Sequence, residues 1–162
     1  AEKKIHEMEF DFSLNQSKVT ALEPLLSQYD IKLNPDLKEM HGIMNGFIDL
    51  LFEYNGRFYI LDWKSNHLGY DVSDYIGDNL NAAMNDNQYK LQYLIYTISV
   101  HRYLKQRLGE HYDYETHFGG AIYVFLRGAR AGEKSGIYFE RPDWGFVEEM
   151  DRVMGWDDSR LL

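Results

Sequence analysis

The pair Asn55-Gly56 separates two apolar, aromatic-rich runs, residues 45–54 and 57–64. Asn-Gly between such runs is the strongest short-range signal for a two-residue hairpin, because both turn positions need positive φ. A turn of that length fixes the register of both strands. Tyr54 then faces Arg57, Phe52 faces Tyr59, Leu50 faces Leu61, and Asp49 faces Asp62. Directly opposed side chains have Cβ atoms about 4.5–5.5 Å apart. Lys64 lies two residues past Asp62 and therefore points to the same side of the sheet.

Two like charges opposed across a ladder repel, and burial raises a carboxylate pKa. Leu51 and Ile60 share the face of the aspartates, while Leu50, Phe52, Leu61 and Trp63 occupy the other. Strands apolar on both sides are expected to be covered on both sides. Two half-buried carboxylates tolerate each other when a cation sits between them, and hard divalent cations such as Mg²⁺ prefer oxygen ligands. A lysine beside that ion can orient or deprotonate a water, which is the equipment for metal-assisted attack on a phosphate. The alternative is a pair of solvated sheet-edge aspartates with Lys64 as a salt-bridge partner. A three-residue loop would slip one strand and separate the two carboxylates.

The remaining elements follow from periodicity. Residues 5–14 alternate, with Met8, Phe10, Phe12 and Leu14 on one face and Ile5, Glu7 and Glu9 on the other, as in a half-buried strand. Residues 15–29 read as a short helix capped by Ser17, with Pro24 arguing for a break. Asn34-Pro35-Asp36 marks a turn, and residues 39–43 read as a strand entering the hairpin. Ser65-Asn66-His67-Leu68-Gly69 is a polar loop, and His67 is the histidine nearest the aspartates in sequence. Residues 71–85 and 88–107 read as helices. Gln92 and Tyr96 are four apart on the second, so they share a face. Lys90, His101, Arg102, Lys105, Gln106 and Arg107 are read as its solvated side. Residues 112–114 form an exposed connection. Residues 118–127 form a buried strand, with Arg127, Arg130 and Lys134 near its end as weak DNA contacts or a solvated turn. A short strand over 136–140, a helix capped by Asp143 and running through Met154, and a frayed end over 156–162 complete the chain.

A chain of 162 residues with 44% hydrophobic and 15% aromatic residues can build one compact domain. With no cysteine, disulfides and thiolate metal sites are excluded. No run is long enough to span a membrane and no signal peptide is visible, so a cytoplasmic location is expected. The 26 acidic and 17 basic residues give a formal charge of −9. That argues against a free-standing DNA binder, which would show a basic surface. The chain starts at Ala1 and enters structure at once, which reads as an excised domain.

A strand Asp, a hairpin and then Asp-x-Lys form the pattern of the PD-(D/E)xK nuclease superfamily. Within it, "GFIDLLF", "GRFYILDWKSNHLG", "LQYLIYTISVHRYL" and "FGGAIYVFLRG" resemble the RecB-type nuclease domains, over a span from about Glu7 to the Arg141-Pro142 region. The resemblance implies an α/β, restriction-endonuclease-like core with a mixed central sheet and helices on both faces. It implies Mg²⁺, with Ca²⁺ or Mn²⁺ able to substitute, bound by Asp49, Asp62 and the backbone carbonyl of Trp63. Lys64 positions the attacking water, and Glu7, which precedes Phe10 by three, matches a strand glutamate that helps the metal site. Glu7 could equally be a solvent-facing strand residue. Gln92 and Tyr96 match a Gln-x-x-x-Tyr pair that holds DNA phosphate or the carboxylates, unless they only reach water at a helix–sheet boundary. Ser65 and Asn66 match residues that touch phosphate or metal water, or serve simply as turn residues.

The resemblance further implies an exonuclease acting on single-stranded DNA from unwinding, in double-strand-break repair and recombination. The alpha and gamma subunits of a helicase–nuclease assembly are the implied partners. A metal-ligating histidine of the family lies upstream of the region matched, and neither His6 nor His41 corresponds to it. Weak metal binding and poor cleavage by this stretch alone are therefore expected. Two rival readings are a catalytically degenerate module serving as an interaction or DNA-channel scaffold, and a metal-sensing regulatory domain.

Overall fold

The computed structural model describes residues 3–33, 42–155 and 159–161. The turn signal at 34–36, and the start of the strand expected from 39, lie outside them. The elements in order are β1 (Lys4–Leu14), α1 (Gln16–Ser27), β2 (Gly42–Tyr54), β3 (Arg57–Lys64), a 3₁₀ turn (Val72–Tyr75), α2 (Gly77–Asp86), α3 (Tyr89–Leu108), a 3₁₀ turn (Gly109–His111), α4 (Tyr114–His117), β4 (Phe118–Phe125), β5 (Ile137–Glu140), α5 (Trp144–Met154) and β6 (Ser159–Leu161).

The strands form one six-stranded sheet ordered β5-β4-β3-β2-β1-β6. β3 and β4 are parallel and every other neighbouring pair is antiparallel. Parallel neighbours need a long crossover, and α2, α3 and α4 lie on the connection between β3 and β4. The result is an α/β, restriction-endonuclease-like mixed sheet with packed helices.

The hairpin register is the one that Asn55-Gly56 dictates. Asn55 has φ 51° and Gly56 φ 79°, the left-handed pair that a type I′ turn requires. Tyr54 pairs with Arg57, Phe52 with Tyr59, and Leu50 with Leu61. On one face of the sheet Met8, Phe10, Phe12, Ile48, Leu51, Phe58, Ile60, Ala121, Tyr123 and Phe125 are buried. α3 packs on this side: Phe10 meets Tyr96 edge-on at 5.2 Å, and Gln92 bonds Tyr123. The expectation of strands covered on both faces holds fully for this face. On the other, Leu50, Phe52, Leu61, Ile122 and Val124 are half-buried, while Phe47, Trp63, Ile137 and Phe139 are about half exposed.

Several local expectations change. Asn15 caps α1 by accepting from the Lys18 N–H, so Ser17 is already inside the helix, and Pro24 sits within α1 without ending it. Residues 71–85 divide into the 3₁₀ turn, opened by Asp71 and Asp74 in a reciprocal cap, and α2. Tyr114 is buried rather than part of an exposed connection. Residues 159–161 are not frayed: they pair with Phe10–Phe12 as the outer strand β6. Asp143 caps α5 as expected, accepting from the Phe146 N–H.

The largest change concerns α3. Arg102 is fully buried and His101 is 3% exposed, so neither belongs to a solvated face. Arg102 Nε donates to Asp151 Oδ1 at 2.6 Å and Nη2 to the Asp151 carbonyl at 3.1 Å. The guanidinium also lies 5.3 Å from the Phe12 ring. His101 Nε2 is 3.8 Å from Asp151 Oδ2, and its Nδ1 bonds the Tyr112 hydroxyl. Helical periodicity could not show this, because α3 is enclosed by the sheet on one side and by α5 on another, and a helix wrapped that way buries its charges in pairs.

Candidate active site

The β2–β3 ladder stops at Leu50 and Leu61, immediately before Asp49 and Asp62. β2 turns away there. Across β2, Glu7 of β1 falls between the pairs His6–Leu50 and Met8–Ile48, so the register sets it opposite Asp49. Glu7 has φ 55°, a left-handed kink inside a strand. Burial switches parity at this level: Ile48 is buried on one side of Asp49 and Leu51 on the other. A strained non-glycine backbone of this kind costs on the order of 1–3 kcal/mol and recurs at functional sites.

Past Leu61, β3 keeps β4 on one side but has no paired residue of β2 on the other, and there Asp49 takes the place of a ladder partner. Asp49 Oδ2 accepts the Trp63 N–H at 2.9 Å. A strand residue's N–H and C=O point to the same side, so the Trp63 carbonyl is also aimed toward the gap. Asp62 is 3% exposed. Burial raises its pKa above the ordinary carboxylate value, against the lowering effect of Lys64; the Asp49 charge and a side-chain contact with Asp49 push it further up. The two carboxyl groups are therefore neighbours just past the last paired residues of the hairpin. Lys64 Nζ lies 2.6 Å from Asp62 Oδ2. That oxygen is buried, and the ammonium is its close charge partner.

α3 lies across this centre. The Tyr96 hydroxyl donates to the Phe47 carbonyl at 2.9 Å, two residues before Asp49. Burial, then the charges of Asp62 and Asp49, hold the Tyr96 pKa well above that of free tyrosine, so it stays a donor. Tyr123, raised chiefly by burial and then by Asp62, donates to Gln92 Oε1 at 2.9 Å. This leaves the Gln92 amide N–H groups to donate elsewhere. A cleft of about 270 Å³ runs beside α3, walled by Tyr89, Gln92 and Tyr96 on the helix and by Phe10, Asn45 and Gly46 on the strands.

Of the residues singled out in the sequence, Asp49, Asp62 and Lys64 are brought together, with Gln92 and Tyr96 beside them. Asn66 is held near by the Tyr89 hydroxyl, which donates to its Oδ1 at 3.0 Å. Ser65 is exposed, and its carbonyl accepts from Arg127 Nε at 2.8 Å. The Glu7 side chain is exposed. His67 is exposed too, packed edge-on against Tyr70. Among the described residues, no three His, Asp or Glu side chains converge as a metal cluster. Two carboxylates and the Trp63 carbonyl do fit, as a set of oxygen donors, a small hard cation that keeps several waters.

Sequence reasoning missed Tyr89 and Tyr123. Tyr89 stands three residues before Gln92 and seven before Tyr96, so its place on their face was readable from helical spacing. Tyr123 reaches Asp62 only through the parallel pairing of β3 with β4, for which no local signal exists.

No family model matches the chain. It is 43% identical over 159 residues to the RecBCD enzyme subunit RecB of Escherichia coli, covering 94% of this chain and 13% of that protein. The RecB subunit of Haemophilus influenzae is 43% identical over 116 residues, covering 72% of this chain and 10% of that protein. The Mycobacterium tuberculosis RecB is 34% identical over 130 residues, covering 75% and 12%. The chain thus spans about a tenth to an eighth of the length of these relatives. With the opposed aspartates, the lysine and the mixed sheet in place, the chain belongs to the RecB family.

Proposed function

We propose that this chain is the nuclease module of a RecB-type helicase–nuclease, hydrolysing phosphodiester bonds of single-stranded DNA during double-strand-break repair and recombination. The observation that carries the reading is the meeting of Asp49 and Asp62 at the end of a hairpin, with the Lys64 ammonium 2.6 Å from Asp62. A scaffold has no use for a buried carboxylate whose surroundings oppose its charge. Asp49, Asp62 and the Trp63 carbonyl would hold Mg²⁺, which Mn²⁺ or Ca²⁺ can replace in the site. The ion supplies Lewis acidity and neutralises charge building on the phosphate.

The chain's own groups do the rest. Lys64 donates to the oxygen of the attacking water and holds it in line with phosphorus. Tyr96 braces the β2 backbone that carries Asp49. Gln92, its oxygen engaged by Tyr123, presents N–H donors to the DNA backbone. Arg127, on the connection after β4, donates to the Ser65 carbonyl of the loop that follows Lys64 and so stands at the rim where phosphate would enter. At a net charge of −9 the domain does not gather DNA by itself, so delivery by a tethered motor sets the local substrate concentration. The alpha and gamma subunits are the partners this implies, in the cytoplasm. Among the described residues, no helix is long and apolar enough to cross a membrane.

The test is cleavage of labelled single-stranded DNA by the RecB-type subunit carrying this chain, in its assembly, with and without Asp62→Ala, in Mg²⁺. A loss of at least about a hundredfold is expected, the scale of removing a principal charge-stabilising group. Undiminished cleavage by Asp62→Ala would overturn the assignment.

A further inference from the structure

Lys64 is held by more than Asp62. Its ammonium lies 4.1 Å from the centre of the Tyr89 ring and 5.4 Å from that of Tyr123. The two rings stack on each other at 6.0 Å, and Tyr89 also packs against Phe125 at 6.2 Å. An ammonium has three donors. Here one carboxylate oxygen and two ring faces surround it, and 13% of the lysine side chain stays open. A flexible four-carbon stem would otherwise sample several rotamers, so something must fix where the charge points.

We propose that Tyr89 is a positioning residue for Lys64: its ring holds the ammonium against Asp62, while its hydroxyl ties the loop carrying Asn66 to the start of α3. This rests on the nuclease reading above for its catalytic consequence. Tyr89 is the first residue of α3, and Gln88 before it adopts φ 60°, which sets the direction in which the helix and its first side chain leave the loop. The two tasks use different atoms. The ring makes the cation–π contact, and the hydroxyl donates to Asn66 Oδ1 at 3.0 Å. Tyr89→Phe removes only the second, and Tyr89→Leu removes both. Tyr123 cannot substitute for Tyr89, because its ring is farther from the ammonium and its hydroxyl is committed to Gln92.

The experiment pairs kinetics with NMR of protein labelled with ¹³C at the lysine Cε, the Lys64 signal being assigned by its disappearance in Lys64→Ala. An ammonium at 4.1 Å from a ring centre places its ε-methylene protons in the ring current, so they resonate upfield. In Tyr89→Leu that signal is expected to return toward the ordinary lysine position. The kcat on single-stranded DNA is expected to fall about tenfold, as for loss of one partly desolvated cation–π contact, with KM and the Mg²⁺ dependence unchanged. Tyr89→Phe is expected to keep the upfield shift and to regain at least half of the lost kcat. Tyr89→Met, of similar volume but without a π face, repeats the measurement if the leucine variant unfolds. An unmoved Lys64 signal in both the Leu and Met variants, or a Phe variant as impaired as the Leu variant, overturns the proposal. If the wild-type protein does not cleave DNA, the nuclease reading fails, yet the NMR shift still decides whether Tyr89 holds Lys64.

Discussion

Removing the Asp151 carboxylate is expected to unfold the domain far more readily than any change at the proposed active site. Arg102 has no exposed surface, and Asp151 accepts from it through both a carboxylate oxygen and the backbone carbonyl. Taking one partner from a buried ion pair costs about 3–5 kcal/mol, because the other charge stays in a low-dielectric interior. A domain's whole stability is about 5–15 kcal/mol, so Asp151→Ala removes about a fifth of it or more. At about 2–4 °C per kcal/mol for a chain of this size, the melting temperature falls by roughly 6–20 °C. The assay is thermal and urea unfolding followed by circular dichroism at pH 8, where His101 is neutral in both folded and unfolded chains. The double variant Arg102→Met with Asp151→Leu is the control. It removes both desolvation costs and is expected to recover most of the loss. A loss below about 1 kcal/mol in Asp151→Ala, or a double variant no better than the single, would refute the claim that a buried pair fastens α3 to α5.

Three further outcomes are expected. Burial lowers the His101 pKa to about 4, against the raising effect of Asp151. The unfolded chain therefore takes up the proton first, and stability is lost as pH falls from about 6.5 to about 4, by about 3 kcal/mol at most; His101→Gln should flatten that slope in urea titrations across the range. Asp62 works the other way, since its raised pKa means that stability falls as pH rises through the window above the usual carboxylate value. Asp62→Asn should therefore abolish cleavage while raising the melting temperature at pH 7, and a lowered one would contradict the reading of a carboxylate held against its preference. A Cβ at Gly128 would stand 2.1 Å from the Tyr75 ring, which is itself 2% exposed. Gly128→Ala should thus cost about 1–3 kcal/mol in denaturant unfolding, as overpacking of a rigid neighbour does.

The parts of the centre that were legible in the sequence are those set by neighbours along the chain. Asn55-Gly56 demands its turn, the turn demands its register, and the register brings Asp49 and Asp62 to the same level just past its last pair, with Lys64 beside Asp62. The spacing of Gln92 and Tyr96 on one helix is equally local. Tertiary structure alone decided the rest. Tyr123 comes beside Asp62 only because β4 runs parallel to β3 after a crossover of more than fifty residues, and no turn fixes that register. Arg102 and His101 have the composition of a solvated face and lie in the core, because α5 brings Asp151 to pair with the Arg102 charge and burial keeps His101 neutral. The gap filled by Asp49 exists because β1 kinks at Glu7 and β2 leaves β3 at the same level, a strain that only the assembled sheet can impose. Local chemistry fixes which side chains oppose each other across a tight turn; pairing between segments distant in sequence fixes what surrounds them, because its energy resides in contacts that no short window contains.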